Sequence, residues 1–216
     1  MNPAQPIVVG ISGASGSCYA ICLLQQLLQQ DRTIDLIVSG AGRQVMQQES
    51  TVTFPPDDAP EDEWKTMIAA SDLDLVGVRK VSTASLTGKL RIHPLQDFSA
   101  AAASGSARTA GMVICPCSTG TLSAIAHGTS QNLIHRAADV HLKERRPLIL
   151  VPRETPFSRV TIVNLLTVTD AGAVVLPAAP GFYHRPESVE DLVDFVVGRI
   201  CDQLGVDCTN IARWGS

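Results

Sequence analysis

The chain has 216 residues, 45% hydrophobic and 18% charged, with a formal net charge of −4. That length suits a single domain able to bury roughly 70% of its unfolded surface, and the composition excludes a disordered chain. The acidic balance argues against general nucleic-acid binding, and no stretch approaches the ~18 uninterrupted apolar residues of a membrane span.

Aromatics are only 4%, so Ala, Val, Leu and Ile must build the core. The opening Met-Asn-Pro-Ala-Gln-Pro lacks the basic and apolar regions of a signal peptide. Six cysteines, Cys18, Cys22, Cys115, Cys117, Cys201 and Cys208, show no zinc-ribbon spacing. Reduced thiols in a cytoplasmic protein are expected, with Cys18 and Cys22 on one helix face.

Pro6–Ile11 reads as a buried strand that runs into a Gly/Ser-rich loop at Ser12–Ser17. Residues Ser17–Gln30 place Cys18, Ile21, Cys22, Leu24 and Leu28 at helical intervals. Ile34–Ser39 is the next strand and Gly42–Ser50 a short helix. Pro55, Pro56 and Pro60 break regular structure before a helix at Glu61–Ala70. Ser71–Ala110 has no readable period. Order returns with a strand at Gly111–Cys115, helices at Ser118–His127 and Asn132–Lys143, and a strand at Pro147–Pro152. A helix at Phe157–Thr169, a strand at Ala173–Leu176 and a helix at Val189–Leu204 complete the series. This alternation predicts a three-layer α/β domain over residues 1–216: a doubly wound parallel sheet of Rossmann or flavodoxin-like type. The tail at 205–216 is expected to pack on a neighbour or fray.

In such folds ligands sit beyond the carboxyl ends of the strands. Ser12–Gly16, Pro116–Gly120 and Arg153–Thr155 all fall there. The turn Gly10-Ile-Ser-Gly13-Ala-Ser15-Gly16 offers backbone N–H groups and hydroxyls to a phosphate. It is neither a P-loop nor a strict G-x-G-x-x-G, and Ser39 stands where a dinucleotide fold wants an acid for the ribose. A mononucleotide such as FMN fits better than NAD; a plain strand–helix turn is the competing reading. In Cys115-Pro-Cys-Ser-Thr-Gly-Thr121, Ser118 suits an N-cap, with Thr119, Gly120 and Thr121 in the first turn.

Residues 136–159 carry six cationic and three acidic side chains, a local excess of +3 in an acidic protein. Arg136 and Lys143, seven apart, share a helix face. Arg145 and Arg146 suit a helix C-terminus, which does not explain Arg153 after its strand. Pro177–Pro186 is a shaped loop whose Tyr183 can donate to a phosphate oxygen. Read from the chain alone, Glu49 is a solvated helix-end acid and Arg199 a solvated helix arginine. The five histidines are scattered, and no metal is expected.

Several of these segments resemble the UbiX-type flavin prenyltransferases: Gly13-Ala-Ser15-Gly, Cys115-Pro-Cys-Ser-Thr-Gly-Thr-Leu-Ser123, Asn132-Leu-Ile-His-Arg136-Ala-Ala-Asp-Val140, Leu142-Lys-Glu-Arg-Arg-Pro147, Val151-Pro-Arg-Glu-Thr-Pro156 and Pro177-Ala-Ala-Pro-Gly-Phe-Tyr183. The match runs from Ile7 to Trp214 and is loose from Thr51 to Ala110. The resemblance implies an enzyme that joins dimethylallyl monophosphate to reduced FMN without a metal, giving prenylated FMN for a UbiD-type decarboxylase. It implies a homo-oligomer, usually a dodecamer, with the site at subunit contacts. It assigns FMN contacts to Gly13, Ala14, Ser15, Ser39, Ser118, Thr119, Gly120, Thr121, Arg136 and Arg153. Prenyl-phosphate contacts fall on Lys143, Arg153, Tyr183 and Arg199. The catalytic set is Glu49, Glu154 and Lys143, and Phe98 offers a π-face to the prenyl chain. The related FMN-dependent cysteine decarboxylases carry Pro-x-Met-Asn where this chain has Pro152-Arg-Glu-Thr-Pro156, which disfavours that alternative. A flavin-binding module without catalysis is the other.

Overall fold

The computed structural model describes residues 5–51, 53–70 and 74–208. The expected tail therefore lies mostly outside the described residues. Among these residues, six strands form one all-parallel sheet: β1 (Ile7–Ile11), β2 (Ile34–Val38), β3 (Leu90–Ile92), β4 (Gly111–Cys117), β5 (Leu148–Pro152) and β6 (Val174–Val175). Their order is β3-β2-β1-β4-β5-β6. This is the Rossmann order, with its topological switch point between β1 and β4.

Among the described residues, seven helices cover the sheet: α1 (Ser17–Gln29), α2 (Gly40–Glu49), α3 (Glu61–Ile68), α4 (Thr119–Ala126), α5 (Leu133–Lys143), α6 (Arg159–Asp170) and α7 (Val189–Gln203). β1, β4 and β5 carry no charged residue because both of their faces are covered. Successive side chains alternate between two clusters. Val9, Leu36, Val113 and Ile149 face α1, α3 and α7, while Val8, Ile37, Ile114 and Leu150 face α4, α5 and α6. Gly10 lets α5 approach β1, since a Cβ there meets Ile134 at 3.3 Å.

The unreadable stretch holds β3 and two short 3-10 turns, at Thr83–Ser85 and Ala101–Ala103. Nothing apolar and periodic marks β3. Its register on β2 is tied by Arg91, whose Nε and Nη2 donate to Asp35 at 2.6 and 2.7 Å, and His93 adds a contact at 2.9 Å. Burial pushes the Asp35 carboxyl up, but the hydrogen bonds from His93 and Arg91 outweigh it and hold it below the ordinary aspartate value. Cys18, Cys22, Cys115, Cys117 and Cys201 are thiols outside any disulfide. Cys22 is buried in the α1 core, with Cys18 packed at its margin.

Candidate active site at the carboxyl edge of the sheet

The three loop segments expected to meet do meet. Buried Ser12, just past β1, donates its Oγ to the Pro116 carbonyl at 2.9 Å. The same Oγ accepts the Ser118 N–H at 2.8 Å. Arg153 Nε donates to the Ser15 carbonyl at 2.9 Å. One small polar side chain and one guanidinium thus tie the ends of β1, β4 and β5 across the switch point.

Both α2 and α4 begin at this edge. Ser39 caps α2 by accepting the Gly42 N–H at 3.0 Å, and Ser118 caps α4 by accepting the Thr121 N–H at 3.3 Å. The amides of Gly40 and Ala41, and of Thr119 and Gly120, precede the first intrahelical acceptors. A Cβ at Gly40 or at Gly120 would meet no atom within 4 Å, so space lies beside both first turns. Gly13 does the opposite work: a Cβ there would sit 2.4 Å from the Ala41 Cβ, so only glycine lets the β1 turn lie against α2. This pair of capped, open helix starts suits a phosphate-bearing mononucleotide.

The expectation for the start of α1 needs correction. Its amides do not wait for a phosphate, because Glu49 occupies them. The Glu49 carboxylate accepts the Gly16 N–H at 2.9 and 3.2 Å and the Ser17 N–H at 2.8 Å. Gly16, the N-cap residue, has a φ of 112° and no side chain to cap with; an acid 33 positions away supplies the cap. Glu49 is therefore not a solvated helix-end acid. Burial pushes its carboxyl up, but the Ser15 and Ser17 hydroxyls and the Ser17 and Gly16 amides outweigh burial and hold it below the ordinary glutamate value. An ionised, fixed carboxylate results, seated between the glycine-rich turn and α2.

Arg136 is half-buried in the first turns of α5, close to where the Leu133 N–H donates to the Leu95 carbonyl at 2.8 Å. Neither Arg136 nor Arg153 forms an ion pair among the described residues. Glu154 is exposed beside Arg153, and its Oε1 accepts the Thr155 N–H at 2.9 Å. Tyr183 is exposed and sets its ring edge against Phe195 of α7. One helical turn on, Arg199 shares with Phe195 a groove of about 280 Å³ between β6 and α7. Arg199 also pairs with Asp202 at 2.7 Å.

Lys143 is not with the others. It shares a face with Arg136, but α5 runs antiparallel to the strands and the two lie roughly 10 Å apart along its axis. Lys143 ends α5 at the amino edge of the sheet, beside Gly105. The length of β5, about 17 Å, separates that edge from Arg153. The Lys143 side chain is 62% exposed and lies 3.3 Å from Glu144. Arg146 does not serve the α5 terminus as expected; it donates to the Gly105 and Ala107 carbonyls and pins the loop before β4. Phe98 is 45% exposed in the loop after β3. The role of Glu49 in closing α1 was missed because its partners are backbone groups far away in the chain.

Among the described residues, no three His, Cys, Asp or Glu side chains group as metal ligands, and no helix is long and apolar enough to cross a membrane. The Cys117 thiol is buried and pushed up to about 12, which argues against a nucleophile there.

The profile of the Flavoprotein family matches residues 1–201. The flavin prenyltransferase UbiX of Pseudomonas aeruginosa is 46% identical over 215 residues, covering all of this chain and 96% of that protein. A solved structure of AnUbiX in complex with FMN and dimethylallyl pyrophosphate is 35% identical, covers 98% of each chain and superposes with a TM-score of 0.79. A dodecameric FMN-dependent UbiX-like decarboxylase from Escherichia coli is 32% identical, with 98% of this chain and all of that one covered, and the same TM-score. With full-length identity to the curated relatives and a family model covering most of its length, the chain belongs to the UbiX-type flavin prenyltransferases of the Flavoprotein family.

Proposed function

We propose that this protein joins the dimethylallyl group of dimethylallyl monophosphate to N5 and C6 of reduced FMN, and that the prenylated FMN passes to a UbiD-type decarboxylase. The observation that carries the reading is the fixed Glu49 carboxylate set beside two open helix starts and Arg153 at one sheet edge. The presence of FMN and an allylic phosphate together in the AnUbiX structure supports the choice of both substrates.

Gly40, Ala41, Thr119 and Gly120 amides, capped by Ser39 and Ser118, hold the FMN phosphate with Arg136. Gly13, Ala14 and Ser15 line the flavin, and Thr121 completes the α4 turn. The reaction breaks the allylic C–O bond, and the electron pair leaves with the phosphate. Arg153, Tyr183, Arg199 and Lys143 stabilise that anion by charge and hydrogen bonding. Reduced FMN is the substrate that supplies the nucleophiles: N5 bonds first to the allylic carbon as its proton leaves towards Glu49, a proton added to the prenyl double bond then makes a tertiary cation that C6 attacks, and C6 gives up its own hydrogen as a proton. Glu49 accepts or relays the proton near N5, and Glu154 manages protons between phosphate and prenyl group. Phe98 offers its ring to the prenyl chain.

Lys143 takes part from a neighbouring copy of the chain, since its own Arg153 lies at the far edge of the sheet. The α6 helix supports such assembly. It exposes Val160, Val163 and Leu166 by 67, 50 and 60% along one face, a surface that association would cover. The dodecamer of the Escherichia coli relative favours the same closed arrangement here. The unbridged Cys22, Cys115 and Cys117 thiols support a cytoplasmic setting.

The deciding experiment incubates the protein with reduced FMN and dimethylallyl monophosphate and weighs the bound flavin by mass spectrometry. The flavin mass is expected to rise by C5H8, a dimethylallyl group less the hydrogen it replaces. An unaltered mass in well-folded protein would overturn the proposal.

A further inference from the structure

The loop after β6 and α7 together form a cluster of the Tyr183, His184 and Phe195 rings, and the proposed chemistry uses only Tyr183 of the three. The His184 imidazole lies flat on Phe195 of α7, with centroids 5.2 Å apart and planes within 4°. Tyr183 stands upright against both plates, 5.8 Å from His184 at 81° and 5.6 Å from Phe195 at 80°. Gly181 presses on the same group: a Cβ there would lie 3.0 Å from the Tyr183 ring and 3.1 Å from Phe195. Neither His184 nitrogen touches solvent or finds a hydrogen-bond partner among the described residues. The ring is therefore used for its face and its edge, although buried imidazole nitrogens are ordinarily paired.

We infer that His184 is a positioning residue for Tyr183: it forms, with Phe195, a pair of parallel plates that fix the phenol beside the helix whose Phe195 and Arg199 line the groove. Phe195 belongs to a helix and cannot follow a moving loop. His184 belongs to the loop and travels with Tyr183. The stack of His184 on Phe195 thus fastens the loop to α7, and the edge-on contact sets the angle of the Tyr183 ring. Phe195 and Arg199 are one helical turn apart, so the stack also fixes the distance from phenol to guanidinium. An allylic phosphate held by Tyr183 and Arg199 requires that distance to be set before it binds. This inference rests on the proposed reading of Tyr183 and Arg199 as phosphate contacts.

Two measurements test it, one of them independent of turnover. Crystal structures of H184A and H184F are compared for the Tyr183 ring; H184A is expected to release the ring from its upright orientation and H184F to hold it. Kinetics with varied dimethylallyl monophosphate are then run on H184A, H184F, Y183F and the double variant Y183F/H184A. H184A is expected to raise KM for the prenyl phosphate about tenfold, with FMN affinity retained, and H184F to bring it back within about twofold. Y183F/H184A should be no worse than Y183F, because the histidine acts through the phenol. An unmoved Tyr183 ring in H184A, additive losses in the double variant, or an H184F as impaired as H184A each overturn the inference. A flavin mass that stays unaltered with the unmodified protein sinks the functional reading instead, and the crystallographic comparison still decides the ring placement.

Discussion

The carboxylate of Glu49, the last residue of α2, accepts the Ser17 N–H at 2.8 Å and so closes the start of α1 from 32 positions away. Acids at a helix C-terminus oppose the helix dipole, while acids at an N-terminus are stabilised by it. Glu49 stands at both: it is unfavourable for the helix that carries it and favourable for the helix it caps. Glu49→Gln keeps one acceptor and loses the charge. The variant is expected to bind FMN, to lose turnover by about 100-fold or more, and to lose about 1 kcal/mol of stability. Stopped-time flavin mass spectrometry and urea denaturation check the two effects separately; full turnover in the variant removes Glu49 from the mechanism.

Histidine 141 gives a pH dependence with a definite sign. Its ring is fully buried on α5, with Nε2 2.8 Å from Thr109 Oγ1 and Nδ1 2.6 Å from the Ala137 carbonyl. Burial pushes the imidazole from 6.5 down to about 4. The unfolded chain therefore takes up a proton at a higher pH than the folded chain. Stability from this residue is whole above about pH 6.5 and falls away towards pH 4, by up to about 3 kcal/mol across the window. Denaturation midpoints measured at intervals from pH 7.5 to 4.5 should slope downward, and the slope should flatten in His141→Gln.

The position of Lys143 at the opposite sheet edge from Arg153 predicts complementation. Lys143→Ala and Glu154→Gln are each expected to be inactive with FMN still bound. Co-assembled in equal amounts, they should recover about a quarter of the unmodified activity, because that share of sites draws an intact lysine and an intact glutamate from different copies. A mixture as inactive as either parent refutes sharing.

The apolar face of α6 predicts a surface whose polarity controls assembly. Val163 and Leu166 are half or more exposed, so charge there costs the folded chain little. Val163→Asp with Leu166→Asp should leave the circular dichroism spectrum unchanged and reduce the mass seen by light scattering. An undiminished assembly mass places the subunit contacts elsewhere.

Asp35 predicts a stability effect remote from the chemistry. It is almost fully buried and held by Arg91 and His93 of the neighbouring segment. Arg91→Ala leaves that buried carboxylate short of two donors and should cost about 3 kcal/mol, more than Asp35→Ala. Arg91 is 41% exposed and can turn to water, so Arg91→Ala leaves the greater burden on the buried acid. Chemical denaturation of both variants, with FMN affinity as the control, measures the effect.

Local signals were legible in the sequence and distant ones were not. β1, β4 and β5 are apolar runs, and Ser118 and Asn132 sit where N-caps belong and do cap α4 and α5. Strand polarity placed Ser12, Ser118 and Arg153 at one edge. By contrast, β3 has three residues with a cation in the middle, and its identity comes from Asp35 on another strand. The partners of Glu49 are amides, which carry no residue signature. Spacing put Arg136 and Lys143 on one face of a helix, but a face does not say which end of the sheet each residue reaches.

The sheet terminates on either side in very little: three residues in β3 and two in β6, the latter followed at once by Leu176 and Pro177. Such stubs offer too few unpaired backbone groups to recruit a foreign strand. Copies of this chain can therefore crowd together at high concentration without extending one another's sheets into fibres, and any lasting contact between them must be made through side chains.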